Sequence, residues 1–338
     1  MKRYSIHLSI DNTDAYIVNY KKLLTLLSFD ETTHYDVTID ATSLKYISYK
    51  HLADLILTEQ EFGRAHKAIF KNMLNCSYEL IDRQLLRTIL RYGLEVIINI
   101  DGKFEENKKL TQIIHKLKKN NVPYYLNISC DIDDVEFNYN ALRKTDYNFE
   151  IENSIKSTLN LINEFDKWCV QKENGFSFKT FEDILFRLLL GYSHRNCRYD
   201  SCLSKIISLS SNGNLYFCHI NNELTFLKNI SEVEQYLDIF EQQNFKEVLF
   251  KSLSKRKDCL NCSDFSICHS GCPLQYNNSI NNCHERNYAE LVHHIAEYLN
   301  KILIVGNILP CNPTIRRIVL VSIAYKGVIE INTINKGG

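Results

Sequence analysis

Between about residue 35 and residue 130, short apolar runs alternate with stretches whose apolar residues recur at three- and four-residue intervals. Tyr35–Ile39 predicts a strand. A helix is expected behind Ser48, with Leu52, Leu55, Ile56 and Phe62 on one face. Ala68–Phe70 predicts a short strand. Ser77 can cap a helix that carries Leu80, Ile81, Leu85, Ile89 and Leu90, and Gly93 suits its end. Leu94–Ile100 is nearly all apolar, the mark of a strand buried on both faces. Glu105–Asn120 predicts a helix with Leu110, Ile113, Ile114 and Leu117 inward, and Tyr124–Ile128 the next strand.

One βα unit every ~25–30 residues favours parallel strands with helices outside. The expected fold is therefore α/β: a degenerate partial (βα) barrel or an open parallel sheet. Phe149–Tyr192 looks helical, with Thr180 and Asp183 as a capping box. The pattern then changes. Residues 193–283 are rich in Cys, Asn and Ser and carry few long periodic segments. The expected organisation is a βα domain over residues 1–192, a small irregular cysteine-rich domain over 193–285, and a C-terminal part over 286–338. That last part should hold a helix, about Arg286–Ile304, and a β-rich tail, Ile318–Ile331.

Composition narrows the class. The chain has 338 residues, 45% apolar and 24% charged, with zero formal net charge. This balance gives no broad attraction to nucleic acid or to an acidic membrane. The most apolar late run, Ile302–Leu309, is shorter than the ~18 residues a membrane span needs. A cytoplasmic protein is expected. Lys116, Lys118 and Lys119 end a helix, where the backbone dipole favours cations, and call for no nucleic-acid role.

Of 12 cysteines, three are scattered over the first 190 residues: Cys76, Cys130 and Cys169. Cys311 stands alone. The other eight fall between Cys197 and Cys283. Cys197 is followed after four residues by Cys202, after ten more by Gly213, and after another four by Cys218. Two residues separate Cys259 from Cys262, five separate Cys262 from Cys268, three more precede Cys272 and ten more precede Cys283. In a cytoplasmic chain, such clustering points to metal rather than disulfides. Ile206–Cys218 reads as a hairpin turning at Ser210–Asn214, which would bring Cys218 back towards Cys202. Zinc and iron–sulfur clusters both take four thiolates.

This series, together with Gly271-Cys272-Pro273 and Phe226-Leu227-Lys228-Asn229-Ile230, resembles the SPASM domain of radical SAM peptide maturases. The resemblance covers about a quarter of the chain and departs from the family pattern at Lys228. It implies two [4Fe–4S] clusters. Cys197, Cys202, Cys218 and Cys272 would hold the first. Cys259, Cys262, Cys268 and Cys283 would hold the second.

A radical SAM enzyme also needs a C-x3-C-x2-C loop for the cluster that binds S-adenosylmethionine. The sequence has none: Cys76, Cys130 and Cys169 lie 54 and 39 residues apart. The chain therefore resembles pseudo-radical-SAM proteins of ribosomal-peptide modification systems. The resemblance implies an accessory protein with no SAM-binding cluster. It would bind a precursor peptide, a partner radical SAM or ATP-grasp maturase, or both. The alternatives are a redox enzyme that works without SAM and a structural zinc adaptor.

Other residues carry weaker signals. Asp40, Asp101 and Asp131 each follow a proposed strand, where α/β folds place their sites, but Asp is also an ordinary turn residue. His219 and His269 adjoin cluster cysteines and could tune them, or be plain surface histidines. His293 and His294 are expected on the surface of the final helix.

Overall fold

The computed structural model describes residues 2–10, 14–28, 32–42, 45, 48–172, 176–191, 206–218, 222–254, 262–263, 286–305 and 310–326. The chain forms two compact units. The first comprises Met1–Ile100, Glu105–Tyr125 and Cys202–Leu253; the second comprises Asp101–Phe104, Leu126–Ser201 and Ser254–Gly338. The boundary expected near Tyr192 lies outside the described residues.

The first unit alternates strand and helix: β1 (Lys2–Ser9), α1 (Asp14–Leu26), β2 (Thr33–Asp40), α2 (Tyr49–His66), β3 (Ala68–Ser77), α3 (Arg83–Tyr92), β4 (Glu95–Asp101) and α4 (Lys108–Lys119). It continues with the start of β5 (Tyr124–Ser129). It ends with β8 (Ile206–Leu209), β9 (Asn214–Tyr216), β10 (Phe226–Asn229) and α8 (Gln243–Ser254). Its strands run β10-β9-β8-β1-β2-β3-β4. β8, β1, β2, β3 and β4 are parallel, and β9 and β10 are antiparallel additions. The order is linear and does not close. The expected open sheet with helical crossovers is what forms.

Local signals explain most boundaries. Ser48 caps α2 by accepting from His51 N, as expected. Gly93 ends α3 at φ 64°. Ser77 caps only a single 3-10 turn, Tyr78–Leu80; Asp82 caps α3 itself, accepting from Gln84 N and Leu85 N at 2.9 and 2.8 Å. In α4, Leu110, Ile113, Ile114 and Leu117 are all buried, as the spacing predicts. The pair β1 and α1 precedes the region where the repeat was legible. Ile6, Leu8 and Ile10 alternate inward, and Tyr16, Tyr20, Leu23 and Leu24 form the helical stripe.

The expected hairpin is present. β8 and β9 pair antiparallel around Ser210–Gly213. Gly213 sits at φ 82°, and an added Cβ would lie 3.0 Å from Asn19 Nδ2 and 3.2 Å from Ile230 Cγ2. Both the conformation and the space therefore require glycine. Its carbonyl accepts from Ile230 N at 2.8 Å, and Asn229 Nδ2 donates to Asn212 O and Asn214 Oδ1.

The second unit holds the rest of β5, α5 (Val135–Leu142), β6 (Asn148–Ile151), α6 (Leu161–Cys169), β7 (Ser177–Phe178), α7 (Lys179–Leu190), α9 (Arg286–Leu299) and α10 (Pro313–Lys326). Its strand order is β5-β6-β7, all parallel. Aromatic side chains fill its core: Tyr139, Phe149, Phe165, Trp168, Phe178 and Phe181 are all buried. The segment expected to be helical throughout, Phe149–Tyr192, also supplies two short strands. α7 starts behind Phe178 without a side-chain cap, so Thr180 and Asp183 do not form the expected box.

The β-rich tail needs correction. Ile318–Lys326 belongs to helix α10, and residues 327–331 lie outside the described set. Asn312 caps the helix, accepting from Thr314 N at 2.9 Å and Ile315 N at 3.2 Å, and Pro313 takes the first turn. Ile315, Ile318, Val319 and Ser322 then face inward at helical spacing. No described helix is long and apolar enough to cross a membrane.

Candidate functional site

In the first unit, the two faces of the parallel sheet differ in chemistry. Ile6, Leu8, Val37, Ile39, Leu74, Cys76, Val96 and Ile98 share one face and are fully buried. The alternate residues share the other. Register places His7, Thr38, Met73 and Glu95 in one row across β1 to β4. The next row is Ser9, Asp40, Asn75 and Ile97, and beyond it Ser77 stands beside Asn99. A parallel sheet covered on both faces would carry apolar residues at these positions. Here they are mostly polar, and most are half-buried.

The groups on this face are held in place. Asn99 Nδ2 donates to Asn75 Oδ1 at 2.6 Å. Asp40 Oδ1 accepts from Thr42 N at 2.9 Å and Thr42 Oγ1 at 2.7 Å. Lys71 Nζ lies 2.9 Å from the buried carboxylate of Glu95. Met73, Ile97 and Tyr125 form an apolar patch among them. Amide, carboxylate and hydroxyl groups beside an apolar patch can pair with the backbone of a polar ligand and seat a side chain. Of these residues the sequence pointed to Asp40 alone. Glu95 and Asn99 in β4 were the missed signal, because a strand buried on both faces should not alternate this way.

Asp101 ends β4 and Asp131 precedes a 3-10 turn; both are exposed. Lys116, Lys118 and Lys119 lie in the last turn of α4, as expected. His294 lies at the surface and is paired there. Its Nε2 lies 2.7 Å from Asp166 Oδ1, and its ring meets the Phe165 ring edge-on at 6.1 Å. His219 and His269 lie outside the described residues.

The described thiols differ in burial. Burial pushes Cys76 up to about 12, with Asp40 adding to the shift, and likewise pushes Cys169 up to about 12. Cys130 is also raised, mainly by burial. A raised thiol carries less of the reactive thiolate near neutral pH, most so at Cys76 and Cys169. Cys311 is exposed. Cys218 follows β9 and is buried, and its carbonyl accepts from Ser208 Oγ at 2.6 Å. Cys262 is half-buried. Cys197, Cys202, Cys259, Cys268, Cys272 and Cys283 lie outside the described residues.

The expectation of two [4Fe–4S] clusters is corrected here. Among the described residues, no group of three or more His, Cys, Asp or Glu side chains comes together that could hold a metal ion. Of the expected ligands, Cys218 and Cys262 are the described ones, and neither stands in such a group.

Compared by sequence, the chain matches no protein-family profile and no curated protein. Solved structures match by fold. Hexahistidine-tagged anSMEcpe with bound AdoMet superposes with a TM-score of 0.68 at 16% identity, over 94% of this chain and 99% of that one. Native anSMEcpe with bound AdoMet and Cp18Cys peptide gives 0.66 at 16% identity, over 91% and 99%. SuiB from Streptococcus suis gives 0.50 at 14% identity, over 82% and 76%. At these identities the likeness is one of fold, and with anSMEcpe it runs over nearly the whole chain.

Proposed function

We propose that this chain is an accessory protein in the maturation of ribosomally synthesised peptides, binding a peptide without itself cleaving S-adenosylmethionine. The polar, half-buried face of the first unit's sheet carries the reading. In α/β folds, ligands sit at the carboxyl ends of the strands, where Asp40, Ser77 and Asn99 lie. The fold likeness to a structure holding both AdoMet and a peptide supports a peptide there. The sequence supports the lack of SAM cleavage. The strand-to-helix connections at residues 10–13, 41–48, 78–82 and 102–107 contain no cysteine, so none supplies the three thiolates that a SAM-binding cluster requires. A partner radical SAM or ATP-grasp maturase would then supply the chemistry.

The test uses the pure protein under anaerobic conditions with SAM and a strong reductant. No 5′-deoxyadenosine above the buffer control is expected. Added precursor peptide should bind, and should be modified only once a complete maturase is present. Catalytic 5′-deoxyadenosine formation by the protein alone would overturn the proposal.

A further inference from the structure

Helix α10 is anchored along one side. Asn312 Nδ2 donates to Trp168 O at 2.6 Å, and Ser322 Oγ donates to Leu189 O at 3.1 Å. Ile315, Ile318 and Val319 are fully buried on that side. The outward side should then be polar throughout, as on an ordinary amphipathic helix. It is polar only in its first part, at Arg316 and Arg317. Pro313, Arg316, Arg317, Leu320, Val321 and Ala324 recur there at three- and four-residue intervals and line an open groove of about 400 Å³. Leu320 and Val321 are each 48% exposed. A helix that carries exposed apolar side chains on its outward side and is anchored on the other has a second face to cover.

Charge identifies the kind of cover. Two of the six lining residues are cationic and none is acidic. Arg316 Nε donates to Pro310 O at 3.1 Å, and among the described residues its terminal N–H groups have no partner. Guanidiniums beside apolar side chains suit carboxylates beside apolar side chains. A second copy of the same face would instead bring four guanidiniums together, and like charges across an interface oppose association. We propose that the outward face of α10 docks an acidic, apolar helical segment of a partner protein. The inference uses no residue of the first unit's sheet and stands whether or not that sheet holds a peptide.

The probe is a fluorescein-labelled helical peptide of about 16 residues with Glu and Leu on one face. A counterpart carries Lys for every Glu. With the full chain, fluorescence polarisation should show saturable binding of the acidic peptide, weakening as salt rises, and none of the basic one. Arg317→Glu and Leu320→Asp should each weaken binding at least about tenfold. Arg317→Gln should give an intermediate loss. Both positions face outward, so circular dichroism should be unchanged in all three variants. Equal binding of the two peptides, or binding of neither, would overturn the proposal. So would self-association in sedimentation velocity that Leu320→Asp abolishes, since the face would then pair with a second copy.

Discussion

Within β3, Leu74 and Cys76 are fully buried under the helices, whereas Asn75 and Ser77, their immediate neighbours, are half-buried on the opposite face. The same contrast recurs in β2, between Ile39 and Asp40, and in β4, between Ile98 and Asn99. One backbone thus carries two surfaces of different chemistry. The helix-covered face excludes water and holds the unit together. The other keeps polar groups half-buried, and under the proposed function these would pair with a peptide. Stability and binding should therefore respond to different residues, even to adjacent ones.

The largest separation is expected at Leu74. Leu74→Ala removes a fully buried side chain and should cost about 2–5 kcal/mol in urea denaturation. Asn75→Ala, one residue on, should cost less than about 1 kcal/mol, because water can replace its half-buried amide. Equal losses at the two positions would break the comparison between the faces.

A second test asks whether the helix-covered face tolerates a charge. Glu59 on α2 is 1% exposed. Tyr20 Oη donates to its Oε1 at 2.7 Å, and Asn72 Nδ2 donates to its Oε2 at 2.6 Å. Burial pushes its carboxyl up to about 8 from an ordinary 4.5, although the two hydrogen bonds pull the other way. Asn72 Oδ1 is buried with no partner among the described residues, so turning that amide over would let a protonated Glu59 donate to it. A carboxyl raised on folding contributes stability below its unfolded value and loses it as pH rises towards the folded one. The wild-type protein should thus become less stable between pH 4.5 and about 8. Glu59→Gln should flatten that decline and exceed the wild type at the upper end by on the order of 1–3 kcal/mol. Parallel thermal-melt profiles of the two proteins across this range would contradict a neutral Glu59.

The helix-covered face was readable from sequence because spacing alone specifies it: Leu110, Ile113, Ile114 and Leu117 can share only one side of a helix. The polar face was harder to see. Isolated asparagines and serines in strands look like surface residues until register aligns Asp40 with Asn75. In β4, the apolar Val96, Ile97 and Ile98 masked the alternation of Glu95 and Asn99. Ile318–Val321 misled for a related reason. Four consecutive apolar residues, three of them β-branched, suit a strand by propensity, but the Asn312-Pro313 start and burial at helical spacing override it. The hairpin at Gly213 was legible because its turn chemistry is local. The cysteine spacing was equally legible, yet thiols remote in sequence need tertiary structure to meet, and only Cys218 and Cys262 of that series lie among the described residues.

The smallest expected change in stability tests the comparison most closely, at Asn99. Its side chain donates to Asn75 Oδ1 at 2.6 Å, and both residues are half-buried. Removing the donor leaves an acceptor that water can reach, so the stability cost should stay below about 1 kcal/mol. The effect on binding should be different in kind. The Asn75–Asn99 pair fixes both amides, and a fixed amide loses less freedom when a ligand pairs with it. Asn99→Ala should therefore weaken precursor-peptide binding by about tenfold, roughly 1.4 kcal/mol, while urea denaturation barely moves. Asn99→Asp keeps the shape but sets a carboxylate against Asn75 Oδ1 until that amide turns over, so its binding should fall between wild type and Asn99→Ala. Isothermal titration of the three proteins with one peptide decides the matter. A stability loss as large as that of Leu74→Ala would make Asn99 a core residue, and unchanged peptide affinity would remove this face from the binding site.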